Sequence, residues 1–181
     1  MMDEVLLALA KNSILEEFDN KHKIDKEAMI REYPKLQEKR AVFVTLNLHG
    51  ELRGCIGSLI PHRSLIDDII YNAKSAAFRD PRFAPLSEDE FKDVEIEISL
   101  LSVPYEIEYK DIAELKSKIR PGIDGVILQH HHNQATYLPS VWEQLPTFEE
   151  FFGYLCQKAG LGADCLKAHP FISVYQARKI V

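Results

Sequence analysis

Two hydrophobic periods alternate along the chain, and each change of period marks a new element. Val5, Leu6, Leu9 and Phe18 fall at helical spacing behind Asp3, which would cap the helix; Asp19-Asn20 breaks it. Asp25 caps a second short helix carrying Met29, Ile30 and Tyr33, which stops at Pro34. Residues 35–40 are polar and connect these helices to a sheet. From Ala41 the period falls to two. Val42, Val44, Leu46 and Leu48 predict a strand, His49-Gly50 a tight hairpin turn, and Glu51 to Gly57 the returning strand.

Pro61 closes that strand. Ser64 with Asp67 resembles a capping box, and Leu65, Ile66, Ile69, Ile70, Ala73, Ala76 and Ala77 trace one helical face behind it. The small alanines suit close packing of this helix on the sheet. Pro81 forces a turn within Phe78-Arg79-Asp80-Pro81-Arg82-Phe83. Ser87 and Glu90 form a full capping box for a short helix, and Val94 to Leu100 alternates cleanly as a strand. Asp111 and Glu114 open a helix to about Ile119, and Pro121 to Gly125 is a turn. Val126 to Gln129 and Ala135 to Leu138 predict a second hairpin with His130 to Gln134 at its tip. Thr147 and Glu150 cap a helix with Phe148, Phe151, Phe152, Leu155 and Ala159 on its core face, ended by Gly160. Phe171 to Tyr175 is the last predicted strand.

Strands joined by hairpins and mixed with helices imply an α+β fold with a mainly antiparallel sheet flanked by helices. At 181 residues and 46% hydrophobic content, residues 1–181 make one domain with a core that needs no disulfide staples. Three widely spaced cysteines predict free thiols in a reducing, cytoplasmic compartment. No apolar run reaches membrane-spanning length, and Asp3-Glu4 argue against a signal peptide. A net charge of −6 weighs against a nucleic-acid-coated protein. No nucleotide-binding glycine motif occurs, and no cofactor is implied.

The densest chemistry lies in Glu51-Leu52-Arg53-Gly54-Cys55-Ile56-Gly57-Ser58. Strand alternation puts Arg53, Cys55 and Gly57 on one face and Leu52, Gly54 and Ile56 on the other, with the Arg53 and Cys55 Cα atoms roughly 7 Å apart. A neighbouring cation favours the reactive thiolate, and Gly54 and Gly57 leave room for a ligand or another backbone. The plainer reading is that Cys55 is a small core hydrophobe. Arg79, Asp80 and Arg82 offer two guanidiniums that would grip an anion, or a carboxylate that holds the turn. The run His130-His131-His132 lacks a nearby carboxylate or cysteine, and Cys156, Cys165 and His169 lack knuckle spacing, so no metal site is assigned. Trp142 reads as a core cap.

Leu52-Arg53-Gly54-Cys55-Ile56-Gly57 resembles the signature of the AMMECR family, the AMME-syndrome candidate-region domain, also called AmmeMemoRadiSam system protein A. Ala76 to Phe83 with Pro85-Leu86, Ile96 to Leu101, Gly122 to Val126, Ala135 to Trp142 and Leu155 to Leu161 resemble its later blocks in order. Tyr137 and Ser140 depart from the family's expected Phe and Gln or Glu. The resemblance implies an α+β fold with a larger lobe holding both chain ends and a smaller lobe. It also implies MEMO-like and radical-SAM proteins as partners in a modification pathway.

Three functions stay open. In the first, the chain is an enzyme or enzyme subunit: Cys55 is the thiol, Arg53 lowers its pKa or holds an anion, Arg79 and Arg82 add anion contacts, Asp80 orients them, and Gly54 and Gly57 admit substrate. In the second, it is a non-catalytic adaptor presenting the same surface to a protein. In the third, it is an RNA-binding module using the arginines, which the acidic charge disfavours.

Overall fold

The computed structural model describes residues 1–21 and 24–181. In chain order its helices are α1 (Met2–Phe18), α2 (Lys26–Glu32), α3 (Leu65–Phe78), α4 (Glu88–Asp93), α5 (Ile112–Lys118) and α6 (Phe148–Lys158). Its strands are β1 (Ala41–Leu48), β2 (Glu51–Gly57), β3 (Val94–Leu101), β4 (Tyr105–Glu106), β5 (Gly125–His130), β6 (Asn133–Tyr137), β7 (Phe171–Tyr175) and β8 (Ala177–Ile180). They form two open antiparallel sheets, in the orders β2-β1-β3-β8 and β4-β7-β5-β6. The fold is α+β. It divides into two compact units, a larger one of Met1–Val103 with Arg178–Val181, holding both chain ends, and one of Pro104–Ala177.

In the larger unit, Val42, Val44, Leu46 and Ile98 are fully buried on one sheet face. They meet Leu6, Leu9 and Ile14 of α1 and Ile66, Ile69, Ala73 and Ala76 of α3 in one core. Each such large aliphatic side chain contributes about 1.5–3 kcal/mol by leaving water. Helix starts follow the capping residues. Asp25, Ser64, Asp111 and Thr147 each accept the amide three residues on, and Ser87 with Glu90 closes a reciprocal box. Asp3 departs from its predicted role. The helix begins at Met2, so Asp3 lies inside the first turn and pairs with Arg178 at 2.8 and 3.0 Å.

The β1–β2 turn has His49 at φ 52° and Gly50 at φ 82°, both left-handed, which matches the twist of a two-residue hairpin. The β5–β6 turn is tighter than predicted. Pairing runs out to His130↔Asn133, leaving His131-His132 as the loop. Backbone pairing does not depend on polar side chains, so the histidines did not stop it. Strands β4 and β8 lay outside the prediction. One has two residues; the other carries Arg178-Lys179 and shows no alternation.

In the second unit, Val126, Leu128, Ile172 and Val174 of the sheet pack with Leu115 of α5 and Phe151, Phe152 and Leu155 of α6. Trp142 is buried as expected. Its ring stacks on Phe151 at 3.7 Å and its Nε1–H donates to the Asp124 carbonyl at 2.8 Å. Tyr175 is fully buried opposite Gly125, where its ring occupies the space a Cβ would need, and burial pushes its phenol up to about 12.

The expectation of three free thiols is corrected here. Cys156 and Cys165 form a disulfide, with Cα atoms 5.7 Å apart, and Cys55 alone is free. Gly160, at φ 79°, reverses the chain after α6 and brings the second cysteine back onto the first. The spacing of nine that disfavoured a metal knuckle suits this short covalent loop, which restricts the unfolded chain by roughly 2.5–3 kcal/mol.

Candidate functional site

Strand β2 is an edge of its sheet. Cys55 stands opposite Thr45 of β1. Its N–H donates to Asp80 Oδ2 at 3.0 Å, and its carbonyl accepts from Arg82 Nη2 at 3.5 Å. Both backbone groups therefore point away from β1. Facing residues in this arrangement bring their side chains closest, and Cys55 Sγ lies 3.2 Å from Thr45 Oγ1. The loop after α3 thus takes the place of a further strand at this one residue, satisfying an edge that would otherwise be open.

Asp80 holds the loop. Its side chain is 2% exposed and accepts from Arg82 Nη2, Nε and the Arg82 backbone as well as from Cys55. These bonds, the Arg82 guanidinium foremost, hold its carboxyl well below the usual carboxylate range. Arg82 is 54% exposed, and Asp80 raises its pKa, with the Cys55 side chain adding in smaller measure. The cation beside Cys55 is therefore Arg82.

Arg53 is not arranged as the alternation predicts. The pairing runs Leu46↔Gly54 and then Asn47↔Leu52, so Arg53 is an extra residue at a register shift. Leu52 consequently faces with Asn47, on the side that Cys55 shares, and not with Gly54. Arg53 spends its donors elsewhere: Nε on Glu90 Oε2 at 2.8 Å, Nη2 on Glu90 Oε1 at 3.1 Å and on the Ala84 carbonyl at 2.8 Å. Arg53 and Arg82 both approach the Phe83 ring, at 5.7 and 5.4 Å.

Neither glycine is an open berth. A Cβ on Gly54 would sit 2.1 Å from the Ala76 carbonyl oxygen of α3, and one on Gly57 would sit 2.2 Å from the Phe43 ring. Gly54 admits a helix backbone and Gly57 admits an aromatic ring. Arg79 keeps different company from Arg82, with its guanidinium 5.6 Å from the Tyr71 ring.

The structure adds residues that the sequence reading left out. Thr45 pairs with Glu97 of β3, and Glu97 Oε1 meets Lys179 Nζ at 3.0 Å, so Cys55, Thr45, Glu97 and Lys179 form one row across the outer sheet face. Alternation already placed Thr45 and Glu97 outward; the missing information was the register between β1 and β3.

Glu90 carries a pH prediction. Arg53, and then the Ser87 amide, lower its carboxyl from an ordinary 4.5 to about 2. A carboxyl depressed on folding stabilises the fold above its unfolded pKa and loses that contribution as pH falls toward the folded value. Glu90→Gln is thus expected to cost about 1 kcal/mol at neutral pH, since Glu90 is partly exposed and the pair is screened. The deficit relative to wild type should shrink below about pH 4.5 and vanish near about pH 2. Urea unfolding across this range measures it; a deficit independent of pH would refute the assignment.

A family model described as AMMECR1 matches residues 7–180. A protein of Methanothermobacter thermautotrophicus is 42% identical over 134 residues, covering 71% of this chain and 68% of its own. One from Thermococcus onnurineus is 39% identical over 172 residues, covering 90% and 80%. The crystal structure of the uncharacterized protein PH0010 from Pyrococcus horikoshii superposes with a TM-score of 0.83 at 34% identity, over 97% of this chain and 89% of that one. With the signature strand, its clasping loop and these matches in agreement, the chain belongs to the AMMECR1 family.

Proposed function

We propose that the chain is a thiol-bearing enzyme, or enzyme subunit, of a radical-SAM-linked modification pathway, with Cys55 as the group that meets the substrate. The observation that carries this is the fixing of Cys55. It is the one free cysteine, half-buried on the outer sheet face, and Asp80 and Arg82 hold its two backbone groups. Thr45 orients the thiol. Arg82 supplies exposed positive charge for an anionic substrate group. Asp80, Arg53 and Gly54 are the framework that keeps strand, loop and helix in register. Family membership supports MEMO-like and radical-SAM proteins as partners.

Alkylation against pH with peptide mapping tests this reading. Cys55 is expected to react in the folded protein. Cys55→Ser is then expected to abolish turnover in the reconstituted pathway. If the thiol stays silent until the protein unfolds, the reading fails.

A second reading, an adaptor using the same surface, is favoured by one observation. Among the described residues, the thiol's hydrogen-bond partner is the Thr45 hydroxyl, not an imidazole or carboxyl that would serve as a base. An adaptor keeps its partner in Cys55→Ser and loses it in Asp80→Ala. RNA binding through Arg53 and Arg82 has less support, because Glu90 and Asp80 already pair with both.

A further inference from the structure

Helix α3 carries a second basic cluster that the thiol site does not use. Arg63, just before the helix cap, lies with Cζ 3.8 Å from the Tyr71 ring centroid, and Arg79, at the far end, lies 5.6 Å from the same ring. Tyr71 is 48% exposed. Two guanidiniums would ordinarily repel. Here each is attracted to the same ring.

The charge of Arg79 is uncommitted, while Arg63 faces the buried Asp68 at 3.6 Å. The chain has 28 acidic and 22 basic residues, and about half of the described lysines and arginines of this unit have a carboxylate partner. Arg79 has no ion pair among the described residues. Arg63 is followed by two aspartates in the first helical turn, Asp67 and Asp68. Asp67 is engaged by Lys26 at 2.7 Å. Asp68 is 1% exposed, sits 3.6 Å from Arg63 Nη1, and already accepts from Val42, Ser58 and Asn72. Arg63 Nε is given to His62 Nε2 at 3.0 Å, and its Nη1 has no hydrogen-bond partner. On the helix stripe between Tyr71 and Arg79 lies Ser75, 4% exposed, whose hydroxyl also has no partner. Arg79, held near the ring with its N–H groups uncommitted, presents a fork that matches a phosphate.

We propose that Arg63, Tyr71 and Arg79 form a binding surface for the phosphate group of a small phosphorylated ligand, separate from the Cys55 site. Arg79 is the principal donor because none of its side-chain N–H groups is committed. Arg63 adds charge, and Tyr71 holds both guanidiniums in place.

The test is a ³¹P NMR titration of the intact chain at low ionic strength with inorganic pyrophosphate and, separately, with uridine monophosphate. Saturable binding that Arg79→Ala weakens roughly tenfold is the expected result, the loss typical of one hydrogen bond to a charged group. Arg79→Lys should recover part of it, and Tyr71→Leu should weaken it while leaving the melting temperature near wild type. Tighter binding of the nucleotide than of pyrophosphate identifies a nucleotide as the source; equal binding identifies free phosphate. Absence of saturable binding by either probe, or an Arg79→Ala affinity equal to wild type, overturns the proposal.

Discussion

Replacing Gly54 by alanine is expected to destabilise the larger unit by about 3 kcal/mol or more, at or beyond the top of the usual overpacking range. The added Cβ would meet the Ala76 carbonyl oxygen at 2.1 Å, with the carbonyl carbon at 3.1 Å. That oxygen belongs to helix backbone and cannot swing aside, so α3 must move off β2. The same helix delivers the loop whose Asp80 accepts the Cys55 amide. The variant should therefore also free the Cys55 backbone and speed thiol alkylation in the native state. A urea midpoint lowered without change in slope, together with faster alkylation, is the expected pair of results. A midpoint equal to wild type would show that α3 does not depend on this approach.

Gly57 offers the internal comparison. Its added Cβ meets the Phe43 ring at 2.2 Å, a side chain that can rotate, so Gly57→Ala should cost less than Gly54→Ala. In both cases the absent side chain makes room for the protein itself. A glycine in a strand marks a close approach, but nothing local in the chain distinguishes a ligand, a ring or a helix backbone as the visitor.

The same limit explains where the sequence was informative. Information carried by near neighbours in the chain was legible. The caps at Ser64, Ser87, Asp111 and Thr147, the His49-Gly50 hairpin and the apolar stripe of α3 all follow from spacings of two to four residues. The Cys55 strand and the Arg79–Arg82 turn could each be found, but what joins them could not. The Asp80–Cys55 bond spans 25 residues and the Arg53–Glu90 pair 37, and no local pattern encodes either. Glu90 was visible only as a capping residue, yet the same carboxylate holds Arg53. The extra residue at Arg53 shifted the alternation by one, which moved Leu52 to the other face. The disulfide escaped for a different reason. Its closure depends on the reversal at Gly160 in three dimensions, while the count of three cysteines pointed to none being paired.

Asp68 shows why a buried polar residue can weigh more than the apolar residues around it. It sits in the first turn of α3 and is 1% exposed. Its Oδ2 accepts from the Val42 amide at 2.9 Å and from Asn72 Nδ2 at 3.0 Å, and its Oδ1 accepts from Ser58 Oγ at 2.8 Å. Asn72 Nδ2 also reaches the Val42 carbonyl and Ser58 Oγ. The network ties the start of β1 and the residue after β2 to α3, at the opposite end of the hairpin from its turn. Asp68→Ala would strand a backbone amide and a hydroxyl, take one of three acceptors from Asn72 Nδ2, and leave Arg63 Nη1 without its nearby acid. Buried donors left unpaired cost about 1–3 kcal/mol each, discounted where neighbours rearrange, so a loss of about 3–4 kcal/mol is expected. Asp68→Asn, which keeps the shape and one acceptor oxygen, should cost about half as much. Thermal unfolding of the two variants decides the matter. If the alanine and asparagine variants melt together, shape and hydrogen bonding contribute nothing beyond the charge. If alanine is much the worse, the network fixes the hairpin on the helix, and with it the position of Cys55 against the Asp80 loop.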